Sequence, residues 1–305
     1  MNETNYVVKY VNRSNFLELN NFYQKYSSGG LARHTLQKWF DGEDPEGAPI
    51  FALDKDEIIG AGYVRICSNK FGLFTNWLIR PDWRKKGVAS EMDKFAFGIL
   101  NAQGINNAVL AVDTKNDNSL NRLIYLKNKK IVDLKDRGNV YFVYTDGNLS
   151  APNFNAKVFC ASENDESEIW WFIRLSLTYY SNHGLYGEDR NFHYLDRRHL
   201  TELIKNKRVF IARERFWVKG LVIINPESLI GDKSNKSIME ICFACGAFEP
   251  IIDFIFNQYR KIIRAYIFDA KNLRRFFKVG FLPNHINNSD FNMRTHKVFS
   301  YKIKK

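Results

Sequence analysis

The sequence predicts an α/β protein built as two tandem copies of one fold, each a central mixed sheet flanked by helices. Three observations predict it. Within the first 145 residues, short segments of strand character interleave with segments in which apolar residues recur at helical spacing. The stretch TDGNLSAPNFN over 145–155 is rich in turn formers and poor in periodic apolar residues, which suits a linker. After it the same order of elements begins again, at a spacing of roughly 150 residues, the length of a duplicated domain and not of a short solenoid repeat. The expected organisation is a domain over 1–145, a linker over 146–155 and a second domain over 156–305.

The elements follow from local pattern. Tyr6 to Val11 alternates as a strand, Ser14 is placed to cap a helix carrying Phe16, Leu17, Leu19, Phe22 and Tyr23, and a second helix covers Leu31 to Phe40. Ile50 to Leu53 and Glu57 to Ile66 read as strands joined by the turn Asp54-Lys55-Asp56, and Leu73 to Ile79 is a further strand. Val88, Met92, Phe95, Ala96, Ile99 and Leu100 then mark a helix, Ala108 to Asp113 a strand, Leu120 to Leu126 a helix and Val140 to Tyr144 a closing strand. The second half repeats the order with strand 157–161, helix 168–180, strands 209–213, 220–224 and 238–245, helix 251–259, strand 262–268, helix 273–277 and strand 297–302.

Composition bounds the function. With 305 residues, 45% hydrophobic and 15% aromatic, the chain can bury a substantial core in each half. No apolar run reaches the roughly 18 to 20 residues that span a bilayer, and the N-terminus lacks a basic region followed by an apolar one, so a cytoplasmic protein with no membrane partner is expected. Four scattered cysteines (67, 160, 242 and 245) do not make a disulfide framework. A formal charge of +12 attracts polyanions without naming one. The aromatic residues sit in apolar-periodic segments, so no nucleic-acid-stacking surface is expected.

The most informative segment is Ile79-Arg80-Pro81-Asp82-Trp83-Arg84-Lys85-Lys86-Gly87-Val88-Ala89-Ser90. It leaves a strand, passes a proline that ends strand pairing, and enters a helix at three basic residues and a glycine. A helix N-terminus offers unpaired N–H groups and the positive end of its dipole to a diphosphate. Gly87 and Ala89 allow close backbone approach, and Arg84, Lys85 and Lys86 add positive charge. Arg84-x-x-Gly87-x-Ala89 in this position resembles the acyl-CoA diphosphate loop of the GCN5-related N-acetyltransferases (GNAT). A second match lies downstream in Asn118-Ser119-Leu120-Asn121-Arg122-Leu123-Ile124-Tyr125, which is similar to the family's asparagine followed by a helical tyrosine. Seven residues are two helical turns, so Tyr125 shares the face of the helix entrance. Lys129 and Lys130 stand where the family usually has Gly-Phe.

The resemblance implies that acetyl-CoA lies in a gap between parted parallel strands and passes its acetyl group to a primary amine by direct attack. It implies a cofactor-binding set of Leu78, Ile79, Arg84, Lys85, Lys86, Gly87, Val88, Ala89, Ser90, Asn118 and Tyr125. Backbone N–H groups on the strand ending at Ile79 face the thioester carbonyl as an oxyanion hole. Tyr125 is the candidate acid for the departing thiolate. Asp113 is the candidate base: it precedes Tyr125 by the spacing that separates base and acid in the family's ribosomal-protein N-terminal alanine acetyltransferases, where the base is a glutamate. His34 and the acidic loop Asp41, Glu43, Asp44 and Glu46 are further candidates near an acceptor site. The acceptor stays open between small molecule and peptide, and the assembly between monomer and homodimer. Two other readings are a non-catalytic acyl-CoA sensor or scaffold and an aminoacyl-tRNA-dependent transferase of similar tandem form.

The second copy departs from this chemistry. Its corresponding segment, Cys242 to Pro250, has no basic cluster, Glu249 stands at its helix entrance, and Phe276 falls where Tyr125 falls. A phenyl ring cannot donate a proton. No metal is expected: Cys242 and Cys245, three apart on a strand, are expected on opposite faces as buried thiols. His183, His193 and His199 are expected at the surface.

Overall fold

In a computed structural model, the described residues are 6–27, 31–42, 47–67, 71–113, 116–144, 156–181, 184–188, 191–227, 238–259, 262–267, 270–283 and 296–303. The chain divides into two compact units. Unit 1 comprises Met1–Val112, Asn116–Asp136 and Val298–Lys305, and unit 2 comprises Asp113–Lys115 and Arg137–Lys297. The expected linker at 146–155 lies outside the described residues.

Unit 1 contains β1 (Tyr6–Tyr10), α1 (Phe16–Tyr26), α2 (Leu31–Phe40), β2 (Gly47–Asp54), β3 (Glu57–Cys67), β4 (Phe71–Ile79), α3 (Val88–Ala102), β5 (Asn107–Asp113) except for its last residue, and α4 (Asp117–Asn128). The strands β1 to β4 form an antiparallel meander, and β5 joins β4 in parallel. Strand alternation sorts the core onto two faces. Ile50 and Ala52 of β2 face Met92, Ala96 and Leu100 of α3 and Leu123 and Leu126 of α4. Phe51, between them, faces Leu19, Phe22 and Tyr23 of α1 and Leu36 of α2.

Two irregularities shape β4. Its pairing with β3 steps from Ala61↔Leu78 to Tyr63↔Thr75, so β4 carries one extra residue there. Asn76 takes a left-handed φ of 57°, a conformation that asparagine tolerates better than most residues. The hydroxyl of Tyr23 donates to the Asn76 carbonyl at 2.8 Å, fixing the bulge from the α1 side. Burial pushes the Tyr23 phenol well above its usual range, so it stays a donor. Beyond the bulge the Trp77 ring lies flat over Gly62, where a Cβ would meet ring carbon at 2.4 Å. The second irregularity is separation: among the described residues, β4 and β5 pair only at Gly72↔Ala108 and Leu73↔Val109.

Unit 2 takes in the second part of β6 (Val132–Tyr144), then β7 (Lys157–Cys160), α5 (Glu166–Leu175), α6 (Leu177–Ser181), β8 (Leu185–Glu188), β9 (Asn191–Tyr194), α7 (Arg197–Lys205), β10 (Val209–Glu214), β11 (Trp217–Asn225), β12 (Ile238–Gly246), α8 (Glu249–Tyr259), β13 (Ile262–Ile267), α9 (Ala270–Lys278) and β14 (Leu282–Pro283). The last strand, β15 (His296–Ile303), clusters with unit 1 from Val298 onward. The order β7-β10-β11-β12 is antiparallel, and β13 is parallel to β12, the same pattern as β1 to β5. Each unit also places a single 3-10 turn before its first helix, at Arg13–Asn15 and at Glu163–Asp165.

Several expectations need correction. Ser14 does not cap α1: the 3-10 turn, closed by the Asn15 N–H on the Asn12 carbonyl at 2.9 Å, puts Ser14 inside it, and α1 starts at Phe16. The single helix over 168–180 is two helices, because the Ser176 hydroxyl accepts from the Tyr179 N–H and starts a new one. Of the polar loop and helix start expected around His193 and His199, the loop forms the β8–β9 hairpin and the helix is α7. They half-bury His193 and His199, and His199 Nε2 lies 2.9 Å from the Tyr186 hydroxyl, so these two are not surface residues. His183 lies outside the described residues. Cys242 and Cys245 are buried, but on one face of β12. A register shift opposite Ile223/Ile224 inserts an extra residue at Cys242 and resets the alternation.

Gly62→Ala is expected to displace the Trp77 ring and destabilise the protein by about 1–3 kcal/mol. Urea denaturation measures this, and an unchanged midpoint would show that the ring does not need the glycine.

Candidate active site

A groove of about 700 Å³ opens in unit 1 beside the end of β4, beyond its pairing with β5 among the described residues. Its walls are the end of β4 (Trp77, Leu78, Ile79), the turn into α3, the first turns of α3, and α4 with the asparagine before it. Pro81–Trp83 makes a 3-10 turn, Lys85 takes a left-handed φ of 65°, and Gly87 caps α3 at φ 85°. A residue with a Cβ is strained at that φ, which is why glycine stands there. The space beside it is open: a Cβ would find only the Tyr6 hydroxyl within 4 Å, at 3.7 Å. The Ser90 and Glu91 N–H groups turn back onto the Gly87 carbonyl at 2.9 and 3.1 Å. Those of Val88 and Ala89, ahead of them, have no partner inside the helix and form the donor end of its dipole.

The basic residues divide in role. Arg80 is committed to Glu57 at 2.7 Å and to Asp82 at 2.8 Å. Arg84 is exposed, with Nε donating to the Ile79 carbonyl at 3.3 Å, and Lys85 is exposed at the groove. Lys86 does not line the groove; its Nζ lies 4.7 Å over the Trp83 ring. The Arg80 N–H donates to the Ile59 carbonyl on β3, so alternation turns the Ile79 N–H toward the edge that β5 leaves.

On the opposite wall, Asn116 caps α4 by accepting from the Ser119 N–H at 3.1 Å, a role the sequence reading left unassigned. Asn118 and Tyr125 both line the groove, as the two-turn spacing requires, and Tyr125 is 48% exposed. Of the predicted set, Leu78, Ile79, Arg84, Lys85, Gly87, Val88, Ala89, Ser90, Asn118 and Tyr125 therefore come together. Asp113 ends β5, and its side chain lies outside the described residues, as do that of His34 and all of 43–46. Asp41 is exposed and accepts from Gln37.

Sequence reasoning also missed a buried charge beneath the groove. Asp93 of α3 is 1% exposed, and its Oδ2 lies 3.2 Å from Nε of Arg122 on α4. These two atoms and Trp77 Nε1 are buried without a well-aligned hydrogen bond. Burial pushes the Asp93 carboxyl up to about 6, against the opposing pull of Arg122 and then of the Trp77 indole.

Unit 2 has closed the same place. Arg275 of α9 grips Glu249 at the start of α8, with Nε 2.6 Å from Oε1, and also donates to the Gly246 carbonyl at 2.7 Å. Its guanidinium carbon lies 4.1 Å over the Phe248 ring. A carboxylate and a guanidinium from the chain itself are thus paired at this helix entrance. Phe276, 1% exposed, stacks near Phe248 and helps line a cavity of only about 10 Å³.

A mixed sheet with the same strand pattern occurs twice, with an open groove in one copy and a filled space in the other. Residues 15–123 match the Acetyltransferase (GNAT) family. The family match falls on unit 1, and both units have a GNAT-like fold. Over 98% of its length the chain superposes on a GCN5-related glucosamine N-acetyltransferase region of a fungal multi-domain GH3 β-N-acetylglucosaminidase, at TM-score 0.69 and 13% identity, and spans 38% of that chain. It also resembles a GCN5-related N-acetyltransferase from Sphaerobacter thermophilus (TM-score 0.65, 9% identity, 98% of this chain and 96% of that one). A tandem GNAT protein from the clavulanic acid biosynthesis pathway gives TM-score 0.60 at 8% identity, covering 98% of each chain. No curated protein matches the sequence. Among the described residues no helix is long and apolar enough to cross a membrane, and no cluster of metal-ligating side chains occurs.

Because the folded carboxyl of Asp93 titrates near 6 and the free one near 3.8, its contribution is present below 3.8 and is lost as pH rises through 6. Relative to Asp93→Asn, wild-type stability is expected to fall by about 2 kcal/mol between pH 4 and 7. Denaturation of both proteins across that range measures it, and parallel curves would contradict the assignment.

Proposed function

We propose that unit 1 is an N-acetyltransferase that binds acetyl-CoA in the groove and passes the acetyl group to a primary amine. The observation that carries this reading is the open, glycine-capped N-terminus of α3, set beside Arg84 and Lys85 at the mouth of the β4/β5 gap. Such an end suits a diphosphate, because backbone donors, dipole and mobile cations act on one anion together. The groove then leads the pantetheine arm past Asn118 toward the β4 bulge. There the Ile79 N–H is turned to the open edge, where it can accept the charge that develops on the thioester oxygen.

In the proposed reaction the amine, having lost a proton to a base, attacks the thioester carbon. The tetrahedral adduct collapses, the carbon–sulfur bond breaks, and the thiolate takes a proton from Tyr125. We assign the base to Asp113, at the end of β5, with water as the carrier if the carboxylate falls short. The acceptor amine belongs to a small molecule or a peptide. Unit 2, its helix entrance filled by the Glu249–Arg275 pair, serves the fold or the acceptor and not the acyl donor.

Acetyl-CoA is expected to raise the melting temperature of the wild-type chain, and Gly87→Glu to abolish the shift. Tyr125→Phe should keep the shift and slow free-thiol release with an accepted amine by about 100-fold. An undiminished shift in the Gly87→Glu variant would refute the loop assignment.

A further inference from the structure

The groove has a feature that acyl transfer as described above does not use. Asp93 is buried behind it, and the two groups that act on its carboxylate, the Arg122 guanidinium at 3.2 Å and the Trp77 indole, belong to residues that line the groove from opposite walls. Trp77 comes from β4 just past the bulge, and Arg122 from α4, one helical turn before Tyr125. A buried carboxylate is costly to keep, and an ion pair in a core is often no more stable than an apolar pair of like volume. Three polar atoms left buried without aligned partners, Trp77 Nε1, Asp93 Oδ2 and Arg122 Nε, add to that cost. A contribution to stability alone does not account for the arrangement.

We infer that Asp93 is a positioning residue for the acyl donor: through Arg122 and Trp77 it holds the α4 and β4 walls of the groove at the separation that coenzyme A requires. This rests on the acyl-CoA reading of the groove. Asp93 itself does not line the groove, whereas Trp77 and Arg122 do. The charged groups that face it are few among the described residues. Arg122 faces it from α4, β4 contributes the uncharged indole, and on α3 itself Glu91 and Lys94, which also line the groove, pair with each other at 2.6 Å. Protonation of the carboxylate breaks the ion pair and loosens both walls together, so affinity for the donor weakens as pH falls.

The test measures coenzyme A binding by calorimetry at pH 7.5 and 5.5 on the full chain. Three proteins are compared: wild type, Asp93→Asn and the double variant Asp93→Leu/Arg122→Met. The ligand's own phosphate titrates in all three, so only differences between proteins count. Wild type is expected to lose about five-fold more affinity on acidification than either variant, and both variants should bind weakly at pH 7.5. The double variant, with its buried charges replaced by apolar groups, should melt no lower than wild type, which separates lost binding from lost folding. Two results overturn the inference alone: variants that bind within about two-fold of wild type at both pH values, or weakened variants that keep the wild-type pH slope. Absence of binding by the wild-type chain at both pH values overturns the acyl-CoA reading and this inference with it.

Discussion

The separation of β4 from β5 is the constraint on which the rest of unit 1 depends. Among the described residues these parallel strands pair only at Gly72↔Ala108 and Leu73↔Val109, and past that point the β4 donors turned away from β3 lie along an interior edge. Such donors are costly inside a protein unless something satisfies them. The bulge at Asn76, held by the Tyr23 hydroxyl, turns the end of β4 away and aims it at the gap. Gly87 then lets the chain reverse sharply enough to set the start of α3 over the mouth of the same gap. Opening, donors and helix dipole are consequences of one local geometry.

Unit 2 shows what that geometry becomes when the ligand site is given up. It keeps the parallel pair, now joined from Ile238↔Ile262 to Ile241↔Ala265, and it keeps an extra residue in the strand at Cys242. The helix entrance, still attractive to an anion, is answered by Glu249, and Arg275 neutralises that carboxylate in turn. Phe248 and Phe276 fill the space where unit 1 is hollow. The fold tolerates either solution because an anion at a helix N-terminus stabilises it whether it comes from a ligand or from the chain.

Much of this was legible in the sequence, for identifiable reasons. The elements of unit 1 announce themselves by period, and Arg84-x-x-Gly87-x-Ala89 with Asn118 and Tyr125 marks the groove, because diphosphate binding demands particular residues at particular spacings. Other features left no such trace. Asn76 gives a bulge only because Tyr23, far away in sequence, bonds its carbonyl. Asp93 reads as one more polar residue on an amphipathic helix until Arg122 is folded against it. The β8–β9 hairpin is short and polar, and it acquires structure by packing Tyr186 into the core of unit 2. The pair Cys242 and Cys245 obeys strand alternation everywhere except at the bulge that reverses it.

The most direct measurement of the central claim is a crystal structure of the chain with coenzyme A bound. The account predicts the diphosphate oxygens about 3 Å from the Val88 and Ala89 nitrogens, with the pantetheine arm in the gap beside Ile79. A diphosphate found elsewhere, or a ligand seated in unit 2 with the Gly87 turn empty, would contradict it.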